Sequence, residues 1–65
     1  MLKAIFNVML YKNKELTEEG KMIGDGDIIE VIELKDNYAK IHSKTYKDMF
    51  YISIGQLMGG FEKEK

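Results

Sequence analysis

Few side chains in this sequence combine in a pattern that catalyses a reaction or binds a metal ion. His42 is the single histidine, and neither a cysteine nor a serine motif accompanies it, so acid–base and nucleophilic catalysis have no recognisable set of groups. Asp25 and Asp27 alternate with glycine as in a calcium loop, but the further acidic ligands of an EF-hand are missing. We therefore predict a non-enzymatic protein without cofactor or metal, with His42 as a half-exposed surface residue.

The glycines at 20, 24 and 26 could suggest a phosphate loop, but no Gly-Lys-Ser/Thr sequence and no helical pattern follows them. GDGD at 24–27 is instead typical of a turn, because glycine adopts positive φ and aspartate bonds to nearby backbone groups. What remains for function is a set of tyrosines, methionines and charged loops. These side chains bind partners rather than transform substrates.

The charge balance argues against a polyanionic partner. Ten lysines face eleven acidic residues, the net charge is −1, and arginine is absent, so the forked guanidinium contact to guanine cannot form. With 65 residues and no cysteine, a single small domain must rely on packing and sheet hydrogen bonds. A second copy or a partner could add stability to a domain of this size.

Period-two alternation predicts short strands along most of the chain. In the first, Phe6, Val8 and Leu10 share one face; a short uncapped helix there is the weaker alternative. The β-branched run 28–34 predicts a strand with most of its surface covered. The predicted strands are 4–11, 28–34, 38–42, 49–53 and a final short one after a helical turn within 54–60, and the predicted core is Val8, Ile29, Val31, Ile41, Phe50 and Ile52.

The connections are also predicted. Residues 12–22 read as a long acidic loop, with two irregular strands folded back on each other as an alternative. Residues 35–37 and 43–48 read as tight connections, and 62–65 as a charged, disordered tail. A flat five-stranded sheet would expose its edges and an apolar face, so we expect a small barrel over residues 1–61.

Four stretches, in order and at matching spacing, resemble the conserved motifs of the Src-homology-3 (SH3) family. They are MLY at 9–11, GDIIEVIE at 26–33, YAKI at 38–41 and YISIGQL at 51–57. The resemblance implies an all-β, five-stranded SH3-like barrel with one short helical turn near the C-terminus. It also implies a peptide groove lined by aromatic side chains.

In that groove the resemblance assigns Tyr11 and Tyr38 to aromatic positions, while Asn13, Ser53 and Gln56 replace aromatic or proline residues. Such a groove is too polar for ordinary proline-rich peptides. Tyr51 adds a further aromatic anchor. The family's acidic loop, which contacts basic ligand residues, corresponds here to Glu15, Glu18 and Glu19, although a solvated charge run is the favoured interpretation of these residues.

Because side chains alternate between the two faces of a strand, Met9 and Met49 are expected to point away from the core, as Tyr11 and Tyr51 do. These methionines either form part of an exposed interface or are covered by the N-terminal strand or the tail. We therefore predict a protein–protein interaction module, an adaptor, inhibitor or accessory factor of bacterial, phage or mobile-element origin. The chain shows no export signal or membrane span, which favours the cytoplasm.

Two alternatives stay open. Lys40, Lys44 and Lys47 surround Tyr46 in one predicted hairpin, which would suit weak nucleic-acid binding. MIGD at 22–25 also resembles the carbon-storage regulator family of RNA-binding dimers, although that family binds RNA through basic residues that include arginine, and this chain has no arginine. The other alternative is a structural subunit of a larger assembly, with self-association as its sign.

Overall fold

Seven antiparallel strands and one short helix form residues 1–63, the part of the chain that the computed structural model describes. More than half of these residues are in strands, so the all-β prediction with one short helix is confirmed. The strands follow the order β3-β2-β6-β5-β4-β1-β7 in one sheet. The elements are β1 Leu2–Ala4, β2 Val8–Tyr11, β3 Glu19–Ile23, β4 Ile28–Leu34, β5 Tyr38–Ser43, β6 Asp48–Ser53, α1 Ile54–Gly59 and β7 Phe61–Lys63.

The predicted count of five strands is wrong for two local reasons. The predicted strand 4–11 is divided into β1 and β2, because the chain bends after Ala4 and the Ile5 N–H donates to the Gly60 carbonyl at 2.9 Å. Phe6 lies in this bend and is 48% exposed, so its predicted place on the core face is also wrong. The predicted loop 12–22 contains most of β3, which pairs with β2, so the alternative of two strands folded back on each other within 12–22 is also wrong.

The core lies on one face of this sheet, and all seven strands contribute to it. Helix α1 supplies no fully buried residue, so the sheet itself must curl around the core. The start of β7 lies close to β2 although four strands separate them in the sheet, since a Cβ added at Gly60 would lie only 3.1 Å from Val8 Cγ2. Within residues 1–63 no pairing joins β3 to β7, and the sheet is open. The buried residues are Ala4, Val8, Leu10, Ile23, Ile29, Ala39, Ile41, Phe50, Ile52 and Phe61.

The predicted core is buried except at Val31, which is 37% exposed. Strand β4 is covered only at its start, where Ile28 and Ile29 pair with β1. From Glu30 onward every residue of β4 is exposed, so the prediction of a largely covered strand is wrong. A run of β-branched residues predicts a strand, but it does not tell which part of that strand meets the core.

The GDGD turn is confirmed at 24–27. The Gly24 N–H donates to Asp27 Oδ2 at 2.7 Å, and the Asp27 N–H donates back to the Gly24 carbonyl at 3.0 Å. Gly26 has a φ of 95°, which explains glycine at that position.

The helical turn and the final short strand predicted after 54 are also present. Glu62 and Lys63, predicted in a charged tail, belong to β7, where Glu62 Oε1 lies 3.3 Å from Lys3 Nζ of the paired strand β1. The predicted tail residues Glu64 and Lys65 lie outside the described residues.

Candidate functional site

The outer face of the sheet, opposite the core, carries a row of five side chains in direct cross-strand register. Glu33 lies opposite Lys40, Lys40 opposite Tyr51, Tyr51 opposite Tyr11, and Tyr11 opposite Glu19. Cross-strand partners point to the same face, and neighbouring strands lie about 4.8 Å apart, so the row spans about 19 Å. We call it the outer row. It places two tyrosines and a lysine between two carboxylates.

Tyr38 joins this row from the same face of β5 as Lys40. Its ring packs against Tyr51 with 5.6 Å between centroids and an angle of 67° between planes, the edge-to-face arrangement that aromatic rings prefer. Tyr11, Tyr38, Tyr51 and Lys40 are all half-buried. We call these four residues the tyrosine face. Packed tyrosines with half-exposed rings give a binding surface that loses little side-chain entropy when it is covered.

Two of the sequence-predicted site residues, Asn13 and Ser53, accept backbone hydrogen bonds through their side chains. Asn13 Oδ1 accepts from the backbone N–H groups of Thr17 at 3.1 Å and Glu18 at 3.0 Å. Ser53 is the N-cap of α1, and its Oγ accepts from the Gln56 N–H at 3.2 Å. Ser53 also lies opposite Tyr38 in the ladder. These positions hold the loop and the helix start in place beside the tyrosine face.

The predicted acidic loop begins and ends next to Tyr11 and its register partner Glu19. The Lys12 N–H donates to the Glu18 carbonyl at 2.8 Å, which closes the loop at its base. Glu15 and Glu18 are exposed within it, and Glu19 already belongs to β3, where it lies opposite Tyr11. The structure therefore brings one acid of the predicted set, Glu19, into the outer row.

The lysines proposed for nucleic-acid contact are not gathered in one place. Lys40 lies in the middle of β5 opposite Tyr51, whereas Lys44 and Lys47 lie in the exposed turn between β5 and β6. Three residues separate Lys40 from the turn, a distance of about 10 Å or more along a strand.

Tyr46, in the same turn, has a structural role that the sequence did not reveal. Its hydroxyl donates to the Met22 carbonyl at 2.8 Å, and its ring meets Phe50 edge-on at 6.2 Å. Lys21 Nζ lies 5.7 Å from the ring centre. Tyr46 thus ties the β5–β6 turn to β3, a long-range contact for which an aromatic residue in a polar loop is the only sequence signal.

His42 is half-buried on the outer face between Glu30 and Met49, as predicted for a surface histidine. Met49 and Met9 also lie on the outer face, and β1 does not cover them, since it pairs with β4 and β7. Met49 is 42% exposed.

Within residues 1–63, neither a cavity nor a cluster of three or more potential metal ligands is found. None of the helical structure in this part of the chain is long and apolar enough to cross a membrane.

Comparisons with protein-family models, curated proteins and solved structures find no match to the chain. The tyrosine face is the surface on which aromatic, charged and apolar groups are brought together by register.

Proposed function

We propose that the protein is a non-enzymatic interaction module that binds an extended segment of another protein on the tyrosine face. The observation that carries this proposal is the half-buried set of Tyr11, Tyr38 and Tyr51 on the side of the sheet away from the core, in which Tyr38 packs against Tyr51 and Tyr11 lies opposite Tyr51. Tyrosine is enriched among the residues that dominate binding energy, because one side chain offers both apolar area and a hydroxyl.

An SH3-like barrel is part of the same proposal. In support, the long acidic loop separates β2 from β3, tight connections join β4 to β5 and β5 to β6, and a helical turn precedes the last strand. This is the order that the resemblance implies. Tyr11 and Tyr38, which the resemblance assigns to the aromatic groove, both belong to the tyrosine face. With Asn13, Ser53 and Gln56 in place of aromatic or proline residues, the surface favours a segment other than a proline-rich helix.

The charges of the outer row indicate which segments fit. Carboxylates end the row at Glu19 and Glu33, and the exposed Glu15 and Glu18 precede Glu19 in the acidic loop. A partner with an aromatic or aliphatic centre and basic residues at its flanks would therefore meet complementary charge. Such rim charges act mainly on the association rate and on partner choice. An adaptor, inhibitor or accessory factor of a bacterial or phage cytoplasm would act in this way.

Selection from a phage-displayed library of random peptides tests the proposal. Wild-type protein should enrich a common sequence, and Tyr38→Ala should weaken binding of the selected peptides by about 30-fold, the effect of losing a central aromatic anchor. Phe6→Ala is the matched control, since Phe6 is an exposed aromatic residue in the bend between β1 and β2. It should bind as the wild type does.

Two outcomes would contradict the proposal. One is a library that yields no peptide with saturable binding. The other is a Tyr38→Ala variant, shown by circular dichroism to be folded, that binds within threefold of the wild type. Filter retention of RNA or DNA at low salt that Lys40→Ala abolishes, together with a failed peptide selection, would support the nucleic-acid alternative instead.

A further inference from the structure

Strand β4 has an edge that no strand of residues 1–63 covers along most of its length. On one side β4 pairs with β5, and on the other β1 reaches only Ile28 and Ile29. Beyond that point Val31 is 37%, Ile32 47% and Leu34 65% exposed. An open edge with apolar side chains is a template for another strand.

A β-bulge in this segment determines which side chains share a face. Val31 lies opposite Ile41 and Leu34 opposite Ala39, and both partners face the core. Val31 and Leu34 therefore share one face although they are three residues apart, because the register shifts by one residue between Val31 and Glu33.

The charged residues of the segment share the other face. Glu30 lies opposite His42 on the outer face, and Glu33 lies opposite Lys40 on the same face. Lys35 follows Leu34 and is on that face too, with its Nζ 3.6 Å from Glu33 Oε2. The bulge thus sorts the segment into an apolar side and a charged side.

We propose that a second copy of this chain adds to the edge of β4 in antiparallel orientation, with the two-fold axis between Ile32 and Glu33. In this register Val31 faces Leu34 of the second copy, and Glu30 faces Lys35 of the second copy. Each pair occurs twice by symmetry, and Ile32 lies opposite Glu33 of the second copy at the axis, so the dimer gains two apolar pairs on one face and two ion pairs on the other.

Neighbouring registers are excluded by the same pattern. An axis through Ile32 would place Val31 opposite Glu33, which lie on different faces of the bulged strand. A shift of the axis to between Val31 and Ile32 would place Glu30 opposite Glu33, a like-charge pair. The glutamates and the lysine that flank the apolar residues therefore select one self-complementary arrangement and reject its neighbours.

Sedimentation equilibrium between 1 µM and 1 mM protein tests this inference. The contact is small, so a reversible dimer with a Kd between about 10 µM and 1 mM is expected. Glu30→Lys should raise the Kd by about tenfold, because two opposite-charge pairs become like-charge pairs. The double variant Glu30→Lys/Lys35→Glu should restore the Kd of the dimer to within about threefold of the wild-type value. Lys44→Glu, a charge change of equal size and opposite sign in the β5–β6 turn, should leave the Kd unchanged.

A chain that stays monomeric at 1 mM would overturn the inference, and so would a dimer that responds equally to Glu30→Lys and Lys44→Glu. Failure of the charge swap to restore association would overturn the register. Leu34→Lys provides a second probe: a folded Leu34→Lys variant that still dimerises would show that another surface is used. None of these outcomes depends on peptide binding to the tyrosine face, so the two proposals can fail separately.

Discussion

Gly20→Ala is expected to destabilise the fold, because Gly20 in β3 lies where the curled sheet brings three segments together. A Cβ at this position would lie 3.0 Å from the Leu10 carbonyl oxygen and 3.1 Å from two ring carbons of Phe50. Ordinary contacts between carbon atoms are about 3.5–4.0 Å, so either the backbone or the buried ring must shift. Overpacking of this kind costs about 1–3 kcal/mol.

The net effect must include the unfolded chain. Replacing glycine by alanine restricts the unfolded state and contributes about 0.4–1 kcal/mol of stability. Subtracted from an overpacking cost of about 2 kcal/mol, the middle of its range, this leaves a net loss of about 1–1.5 kcal/mol. In a domain of this size that loss lowers the Tm by about 5–12 °C. Thermal unfolding followed by circular dichroism, together with urea titration, measures both quantities.

Gly55→Ala is the matched control. Gly55 lies in α1, and a Cβ there would meet nothing within 4 Å, so alanine should raise stability by about 0.5–1 kcal/mol. The two substitutions are chemically identical, but Gly20→Ala should lower the free energy of unfolding and Gly55→Ala should raise it. A Gly20→Ala variant as stable as the wild type would refute the close approach of β3 to Phe50. In a Phe50→Leu background, the cost of Gly20→Ala should fall, since the contacted ring carbons are gone.

Two further substitutions test contacts that hold the candidate site. Tyr46→Phe keeps the ring against Phe50 but removes the hydrogen bond to the Met22 carbonyl, and urea titration should show a loss of stability of about 0.5–1 kcal/mol with an unchanged m value. No loss would show that this hydrogen bond does not hold the β5–β6 turn to β3. Ser53→Ala should lower the stability measured by thermal unfolding by about 1 kcal/mol, because the N-cap of α1 is lost. Ser53→Asp should keep most of that stability, since aspartate is also a good N-cap. An equal loss in both variants would show that capping is not the cause.

The central strands could be predicted from the sequence because each has one face on the core. In β5 and β6, Ile41, Phe50 and Ile52 alternate with residues of the outer face, and period-two alternation reports this arrangement directly. The same alternation correctly predicted that Tyr51 and Met49 lie on the outer face.

The remaining features depend on which segments meet, and local patterns do not contain that information. The apolar run of β4 looks covered in sequence, but β1 is too short to reach Val31 and Leu34. Tyr46 looks like a loop residue, and only the fold brings its hydroxyl to Met22, 24 residues away in sequence. The outer row likewise depends on the register of four strand pairs, and the sequence alone does not fix that register.

The most direct test of the proposed function is an amide chemical-shift titration of the isotopically labelled protein with a peptide selected from the library. The proposal predicts that the shift changes centre on Tyr11, Tyr38, Lys40 and Tyr51 and weaken toward both ends of the outer row. The amides of Val31 and Leu34 should be unaffected at concentrations at which the protein is monomeric. Shift changes centred on the β5–β6 turn or on the edge of β4, with the tyrosine face unchanged, would contradict it.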